Sequence, residues 1–320
     1  MSSVVQPLGG VGSLVGGCAS LAALLEVSAY PKPGNVHRLR DFDGTRYEHF
    51  LAGGVSLAPW MAALADEGAR VKAQGGGWEG IRLGEHILGA VEDMTRWQKG
   101  GNTHLGVILL FAPVAAAAGA SLENGRADPK RLRENLLDAV AAATPGDAAD
   151  IYRAIGAAMT RENLGSVERL DVSDSSSIDY ILRRGVTPLE IFQECSGRDA
   201  ICGEWATGFS VTFEEGYTYL ADRLLSGSVN DSVVDTFLRI LSRHPDSLIR
   251  RKRGEEAARA VSEKAQRVLD SGGASSDEGR RLLLELDDEL QAGGGELNPG
   301  TSADLTASSL FVNLLGGWRP

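Results

Sequence analysis

The sequence predicts an all-α fold: a single multi-helix globular domain over residues 18–320, preceded by a flexible Gly-rich lead-in over 1–17. Three observations predict it. Apolar residues recur at helical spacing in one segment after another, with helix-start and helix-stop residues between them. No stretch sustains the alternation of a strand. A chain of 320 residues that is 43% hydrophobic has enough apolar material for one large core, since single cores stop growing at roughly 250–300 residues.

The elements follow in order. Gly9, Gly10, Gly12, Gly16 and Gly17 lack the G-x-G-x-x-G spacing of a dinucleotide fingerprint and read as lead-in. Leu21, Leu24, Leu25 and Tyr30 place a core-facing helix over 18–30, ended by Pro31. Phe50 to Leu64 predicts a second helix with Pro59 as a kink, and 81–98 a third, closed by Gly100-Gly101. Residues 105–119, apolar almost all round, predict a helix in the middle of the molecule. Two more helices, 128–143 and 147–159, are split by Thr144-Pro145-Gly146, and the Ser/Asp-rich stretch 163–180 reads as a surface loop. Thr187-Pro188-Leu189-Glu190 supplies a cap, a first-turn proline and an acid behind it, a helix start. Helices are then predicted over 209–225, 229–242, 255–269, 277–291 and 303–315.

The net charge of −11, with only six lysines among 32 basic residues, argues against a nonspecific nucleic-acid surface, so an anionic ligand must be met by local clusters. Cys18, Cys195 and Cys202 form no Cys-x-x-Cys pair and are expected to be buried, reduced thiols. No basic residue precedes Lys32, as a secretory signal would require, and no run reads as a span of ~18 apolar residues. A cytoplasmic location is the expectation, with no nucleic-acid or membrane partner and with homo-oligomerisation left open.

Four polar stretches interrupt this apolar sequence. In Pro31-Lys32-Pro33-Gly34-Asn35-Val36-His37-Arg38, two prolines stiffen a loop that can hold Lys32 and Arg38 toward a polyphosphate, while Gly34 permits close backbone approach. A plain helix connection with its cations in water fits the same residues. Gly100 to Gly106 runs straight into the apolar helix at 105, whose N-terminus attracts anions, with Asn102, Thr103 and His104 at its mouth. Simple capping by Asn102 or Thr103 is the other reading. Asn298 to Asp304 precedes the last helix: Ser302 can cap it, and Asp304 can either favour its first turn or hold Mg²⁺ on a phosphate. Arg243 to Gly254 is the densest basic cluster, an anion site or a charged surface turn. Walker, Gly-x-Ser-x-Gly and His-Glu-x-x-His motifs are absent from the sequence.

Taken together, Pro31-Lys32-Pro33-Gly34 with Val36 and Arg38, Asn102-Thr103-His104 with Gly106, and Asn298-Pro299-Gly300 with Ser302-Ala303-Asp304-Leu305 resemble the triphosphoribosyl-dephospho-CoA synthase family in order and spacing. Asp246-Ser247-Leu248-Ile249 with its trailing basic residues is a looser match. The resemblance implies a transferase that joins the ribose C1′ of ATP to the 2′-hydroxyl of dephospho-CoA and expels adenine. It implies that Lys32, Arg38, Arg251 and Lys252 hold phosphates, and that Asp304 and Asp246 bind Mg²⁺ or stabilise a cationic ribose. His104 would act as acid or base, a role that a pKa near 6.5 suits. Gly34, Asn35, His37, Asn102, Thr103, Gly106, Asn298, Gly300 and Ser302 would complete the nucleotide site.

The chain departs from the family's pattern at Asn35 and His37, where Leu and Asp are expected, and at Leu105, where a lysine is expected. It also lacks a mid-chain Gly-Ala-Arg-Gly-Glu-Ala stretch, with Arg161, Glu162 and the Ser/Asp loop in its place. This marks a divergent branch in which the acceptor can differ. The alternatives are a ribosyl or phosphoryl transferase of another cofactor pathway, and a non-catalytic helical ATP-binding regulatory protein.

Overall fold

The computed structural model describes residues 10–159, 171–172, 174 and 176–320. Its helices are α1 (Val11–Ser28), α2 (Tyr47–Ser56), α3 (Ala58–Gln74), α4 (Leu83–Trp97), α5 (Leu105–Ser121), α6 (Pro129–Ala142) and α7 (Pro145–Ala158). They continue as α8 (Ser176–Arg184), α9 (Pro188–Cys195), α10 (Ala200–Thr207) and α11 (Tyr217–Arg223), the last entered through a π-helical turn, Val211–Gly216. The remainder are α12 (Val229–Arg243), α13 (Ser247–Arg253), α14 (Glu255–Asp270), α15 (Asp277–Gln291) and α16 (Gly300–Leu315). The fold is all-α; among the described residues the only β features are three isolated bridges in tight turns.

Two apolar helices form the axis. α5 is buried on every side and packs on α3, α6, α16, α1 and α4, which explains why its sequence shows no polar face. α16 is buried over most of its length, and Phe111 of α5 meets Phe311 of α16 with ring centroids 4.5 Å apart. Trp205 of α10 is buried against them and donates its indole N–H to Leu109 O at 3.1 Å. Local chemistry sets the boundaries of the outer helices. Asp128, Thr144, Thr187, Ser228 and Ser276 each accept a backbone N–H at a helix start, and Thr144–Asp147 and Thr187–Glu190 close reciprocal capping boxes.

Several expectations are corrected. α1 begins at Val11, so residues 11–17 are helix and not lead-in; residues 1–9 lie outside the described chain. Its glycines serve close packing: a Cβ at Gly16 would sit 2.4 Å from Ala58 O of α3. By length and composition α1 is also apolar enough to cross a membrane, with a mean hydropathy of 1.6, although half of that window is buried in the fold against α3, α16, α2 and α5. The second predicted helix is two, broken at Leu57, with Pro59 in the first turn of α3, where a missing N–H costs nothing. The predicted loop over 163–180 falls largely outside the described residues, as do Arg161 and Glu162, and its end, from Ser176, is helical. Cys18 is a free, buried thiol as expected, but Cys195 and Cys202 form a disulfide. The end of α9 and the first turn of α10 bring their Cα atoms to 5.7 Å, within disulfide range.

The α3–α5 contact is the tightest in the core. A Cβ at Gly68 would lie 1.9 Å from Ala116 O, and one at Gly119 would lie 1.9 Å from Ala65 O. Both obstacles are backbone and cannot swing away. Gly68→Val is therefore expected to destabilise the protein by about 3 kcal/mol and to lower its melting temperature by roughly 5–10 °C, as thermal unfolding will show.

Candidate active site

The loop after α1 carries a cis Tyr30–Pro31 peptide, and Lys32 returns to the end of the helix it has just left. Its ammonium donates to Glu26 O at 3.1 Å and pairs with Glu26 Oε1, and both side chains are buried. Burial raises the Glu26 carboxyl above its usual range, opposed by Lys32. The rest of the loop is fastened to α15. The buried Asp287 accepts Gly34 N–H at 3.0 Å and His37 Nε2–H at 3.2 Å, while Leu39 N–H donates to His37 Nδ1 at 3.3 Å, which fixes the tautomer. Gly34 has φ 71°, where a side chain would be strained, and a Cβ there would meet Leu290 at 2.8 Å. Asn35 Nδ2 donates to Pro299 O at 3.3 Å, tying this loop to the third.

The second loop is tied to the first by Thr45 Oγ1, which donates to Gly100 O at 2.7 Å. Asn102 Oδ1 accepts Leu105 N–H at 3.0 Å and so caps α5. Thr103 and His104 are buried, with Thr103 Oγ1 2.9 Å from His104 Nδ1 and the imidazole edge-on to Phe50. The other ring nitrogen of His104 makes no hydrogen bond among the described residues. Burial, and then the positive charge of Lys32, push the His104 pKa down to about 3. The neutral imidazole is therefore the favoured form near pH 7, with one ring N–H and one accepting nitrogen; of the two expected roles, acid or base, this form suits the base.

Behind this loop stands Asp304, in the first turns of α16. A Cβ on Gly106 would lie 2.1 Å from Asp304 Oδ2, so the carboxylate rests on bare backbone at the start of α5. Asp304 is partly buried and makes no hydrogen bond or ion pair among the described residues. Its carboxyl is held well above the usual range by burial first, then by the negative charges of Glu26, Asp246 and Asp199, with Lys32 pulling the other way. Thus Asp304 meets Gly106 two residues beyond His104, and the charge of Lys32 acts on both His104 and Asp304, so residues from three stretches far apart in sequence are brought into one neighbourhood.

Asp246 belongs to the same cluster but is fully engaged. Its Oδ1 accepts Leu248 N–H at 2.9 Å and Ile249 N–H at 3.2 Å, capping α13; its Oδ2 accepts Ser302 N–H at 2.7 Å and Ser302 Oγ–H at 2.8 Å, at the start of α16. Burial still raises its carboxyl despite these donors. A carboxylate offers about four lone-pair positions, and all four are used. This corrects the expected metal-binding and catalytic roles of Asp246: it is a clamp between two helix N-termini. Asp246→Ala is expected to cost about 3 kcal/mol, measured by denaturant unfolding, because it strands three buried N–H donors and a hydroxyl at once.

The remaining expected residues are divided. Arg38 is exposed, with its guanidinium 5.7 Å from the Tyr30 ring centroid. Arg251 is exposed and approaches Asp199 at 3.9 Å; Lys252 donates to Gly295 O at 2.9 Å. Asn298 keeps a buried Oδ1 without a partner, and a Cβ on Gly300 would meet Leu248 at 2.8 Å. Sequence reasoning missed three acids: Glu26, Asp199, which caps α10 through Oδ1, and Asp287. The one available signal was Glu26, a lone acid within an apolar helical run.

Mg²⁺ is commonly held by one or two carboxylates together with substrate phosphates and water. Among the described residues no three His, Cys, Asp or Glu side chains are grouped to hold a metal ion. Within the cluster, Asp304 alone has an unengaged carboxylate, which fits an ion carried in on a triphosphate and not a protein-built cage. A separate surface depression of about 220 Å³, lined by Glu214, Glu215, Thr218, Tyr219, Arg239 and Arg243, shares no residue with the cluster.

Residues 13–320 match the model of the family described as ATP:dephospho-CoA triphosphoribosyl transferase. The chain is 28% identical over 302 residues to the 2-(5''-triphosphoribosyl)-3'-dephosphocoenzyme-A synthase of Klebsiella pneumoniae, covering 91% of this chain and 87% of that one. It is 25% identical over 299 residues to the protein of the same name from Pectobacterium atrosepticum, covering 89% and 84%. A crystal structure from Archaeoglobus fulgidus, described as a triphosphoribosyl-dephospho-CoA synthase, superposes with a TM-score of 0.64 at 27% identity, over 86% of this chain and all of the other.

Proposed function

The chain belongs to the ATP:dephospho-CoA triphosphoribosyl transferase family, and from that premise we propose that it transfers the triphosphoribosyl group of ATP to the 2′-hydroxyl of dephospho-CoA. The bond from C1′ to the adenine nitrogen breaks, the bond from C1′ to the acceptor oxygen forms, and the hydroxyl proton leaves with adenine. The observation that carries this reading is Asp304: an unpaired carboxylate in a locally anionic cluster, set on the bare backbone of Gly106.

Positive charge builds at C1′ as adenine departs, and a fixed carboxylate in a water-poor setting stabilises it more than water would. Asp304 takes that role in its ionised form, which burial and the neighbouring acids disfavour in the free protein and which the positive charge developing at C1′ favours. Mg²⁺ arriving on the triphosphate would be met by the same carboxylate, and it would supply neutralisation of the phosphate charge. His104, neutral and open at one ring nitrogen, accepts a hydrogen bond from the acceptor hydroxyl and orients it toward C1′. The exposed cations of α13, Arg251 and Lys252, take the triphosphate, with Arg251 joined to the cluster through Asp199. Lys32, buried on Glu26, sets the local charge.

The test is incubation with ATP, Mg²⁺ and dephospho-CoA followed by chromatography. Adenine that forms only when the acceptor is present supports the proposal. ADP or pyrophosphate in its place would show phosphoryl or nucleotidyl chemistry, and unchanged ATP would leave a binding protein.

A further inference from the structure

We infer that the Cys195–Cys202 disulfide is a redox clasp on the nucleotide site: closed, it holds the turn between α9 and α10 against the starts of α13 and α16, and opened by a dithiol, it loosens the grip on ATP. The inference rests on the reading given above, in which Arg251 and Lys252 of α13 take the triphosphate.

The bridge closes residues 195–202 into a short covalent ring. Inside the ring Arg198 N–H and Asp199 N–H both donate to Cys195 O, at 3.0 and 3.1 Å, and Asp199 Oδ1 accepts Ile201 N–H and Cys202 N–H, so the turn is compact as well as closed. The ring meets α13 at three places. Gly197 O accepts Arg250 Nη1–H at 3.3 Å, Asp199 stands 3.9 Å from Arg251, and Ala200 N–H donates to Ser247 Oγ at 3.2 Å. Ser247 Oγ–H in turn donates to Thr301 Oγ1 at 3.1 Å. Ser247 follows Asp246 at the start of α13, and Thr301 precedes Ser302 at the start of α16, so the ring braces the same two helix starts that Asp246 clamps.

α13 depends on such a brace. It spans only Ser247–Arg253, and it carries four successive cations, Arg250 to Arg253, that repel one another. A helix this short is marginal in water by itself, so what it packs on sets its geometry. Cations ordered before ATP arrives spare the cost of ordering them on binding, and opening the ring restores part of that cost. The Asp199–Arg251 contact is long and partly exposed; it adds little stability and gives way easily to a phosphate oxygen.

The bridge is also open to attack from one side. Cys202 is buried, whereas Cys195 is partly exposed in a turn whose Gly197 and Arg198 are exposed. One thiolate of a dithiol attacks Cys195 Sγ, the S–S bond breaks, and Cys202 leaves as a thiolate that takes a proton. The second thiol then displaces the Cys195 sulfur, which is protonated in its turn. The dithiol ends as its own disulfide, and two electrons and two protons have passed to the protein. The Phe192–Trp205 contact, with ring centroids 4.6 Å apart, still joins α9 to α10, so the turn loosens without detaching.

The experiment measures the Kd for ATP with Mg²⁺ by titration calorimetry on three proteins: disulfide-oxidised, reduced with dithiothreitol, and Cys195→Ser with Cys202→Ser. Thiols are counted in denaturant and each protein is melted. One thiol, that of Cys18, is expected in the oxidised protein and three in the reduced one. Reduction is expected to raise the Kd about fivefold and to lower the melting temperature by roughly 5 °C, and re-oxidation to restore both. The double variant is expected to bind as the reduced protein does and to ignore dithiothreitol. If it does not fold, the reduced and re-oxidised wild-type protein carry the test alone. Three thiols after oxidation, or an unchanged Kd when three thiols are counted after reduction, overturns the inference. So does a reduced protein that is unfolded at the assay temperature, because the bridge is then a structural staple. Arg251→Met with Lys252→Met separates the two readings. If that variant binds ATP as wild type does, the role of these cations fails and the clasp with it; if it binds ATP more weakly while reduction changes nothing, only the clasp is lost.

Discussion

Asp304→Asn is expected to lower kcat by about a thousandfold, with KM for ATP changed far less and the fold intact. The amide keeps the size and shape of the carboxylate but removes its charge. No hydrogen bond or ion pair is lost, because the carboxylate makes none among the described residues. The burial of a charge among Glu26, Asp246 and Asp199 is unfavourable to the folded state, so the neutral amide should leave stability equal or higher. A variant that is more stable and much less active is the signature of a residue kept for chemistry. Steady-state kinetics and a thermal melt on the same preparation check both halves, and a variant of wild-type activity would contradict the assignment.

Gly106→Ala is the second large effect, and it separates function from folding in another way. Alanine is intrinsically better than glycine in a helix by about 1 kcal/mol, and Gly106 lies in the first turn of α5. The new methyl would overlap Asp304 Oδ2, 2.1 Å away, and that atom is the mobile end of a side chain. The carboxylate can swing aside at little cost in stability, but it then no longer rests on the backbone at the start of α5. A fall of about 100-fold in kcat/KM with the melting temperature within a few degrees of wild type is expected. Unchanged kcat/KM would show that the position of Asp304 against α5 does not matter.

The helical architecture was legible because capping residues and apolar periodicity are local signals. Thr144-Pro145 with Asp147, and Thr187-Pro188 with Glu190, mark their helix starts in sequence just as they cap them in the structure. α10 and α13 were not legible: each has at most eight residues, too few to display a period, and α13 is so basic that its charge concealed its helicity. The glycines of α1 read as flexibility because sequence does not show the neighbouring backbone that requires them. The disulfide was hidden for a similar reason, since Cys195 and Cys202 become neighbours only when α9 and α10 pack together.

In the site, the residues of the three loops could be found in the sequence, but the division of labour among them could not. Asn35 and His37, where the chain departs from its family pattern, read as residues that choose the substrate. In the structure Asn35 fastens the loop to Pro299, and His37 fastens it to Asp287, an acid 250 residues away that sequence reasoning had no cause to single out. Asp246 and Asp304 look alike in sequence as acids close to helix starts. What separates them is that Asp246 finds Ser302 and its own helix N-terminus, whereas Asp304 finds only Gly106.

The central claim is transfer of the ribose with its three phosphates, and isotope transfer tests it most directly. The protein is incubated with dephospho-CoA, Mg²⁺ and ATP carrying ¹³C in the ribose, and the acceptor is recovered for mass spectrometry. The account predicts an acceptor that has gained a labelled ribose and three phosphates, with unlabelled adenine released in equal amount and neither product formed by Asp304→Asn. Dephospho-CoA recovered unmodified, with the label still in ATP or in ADP, would contradict it.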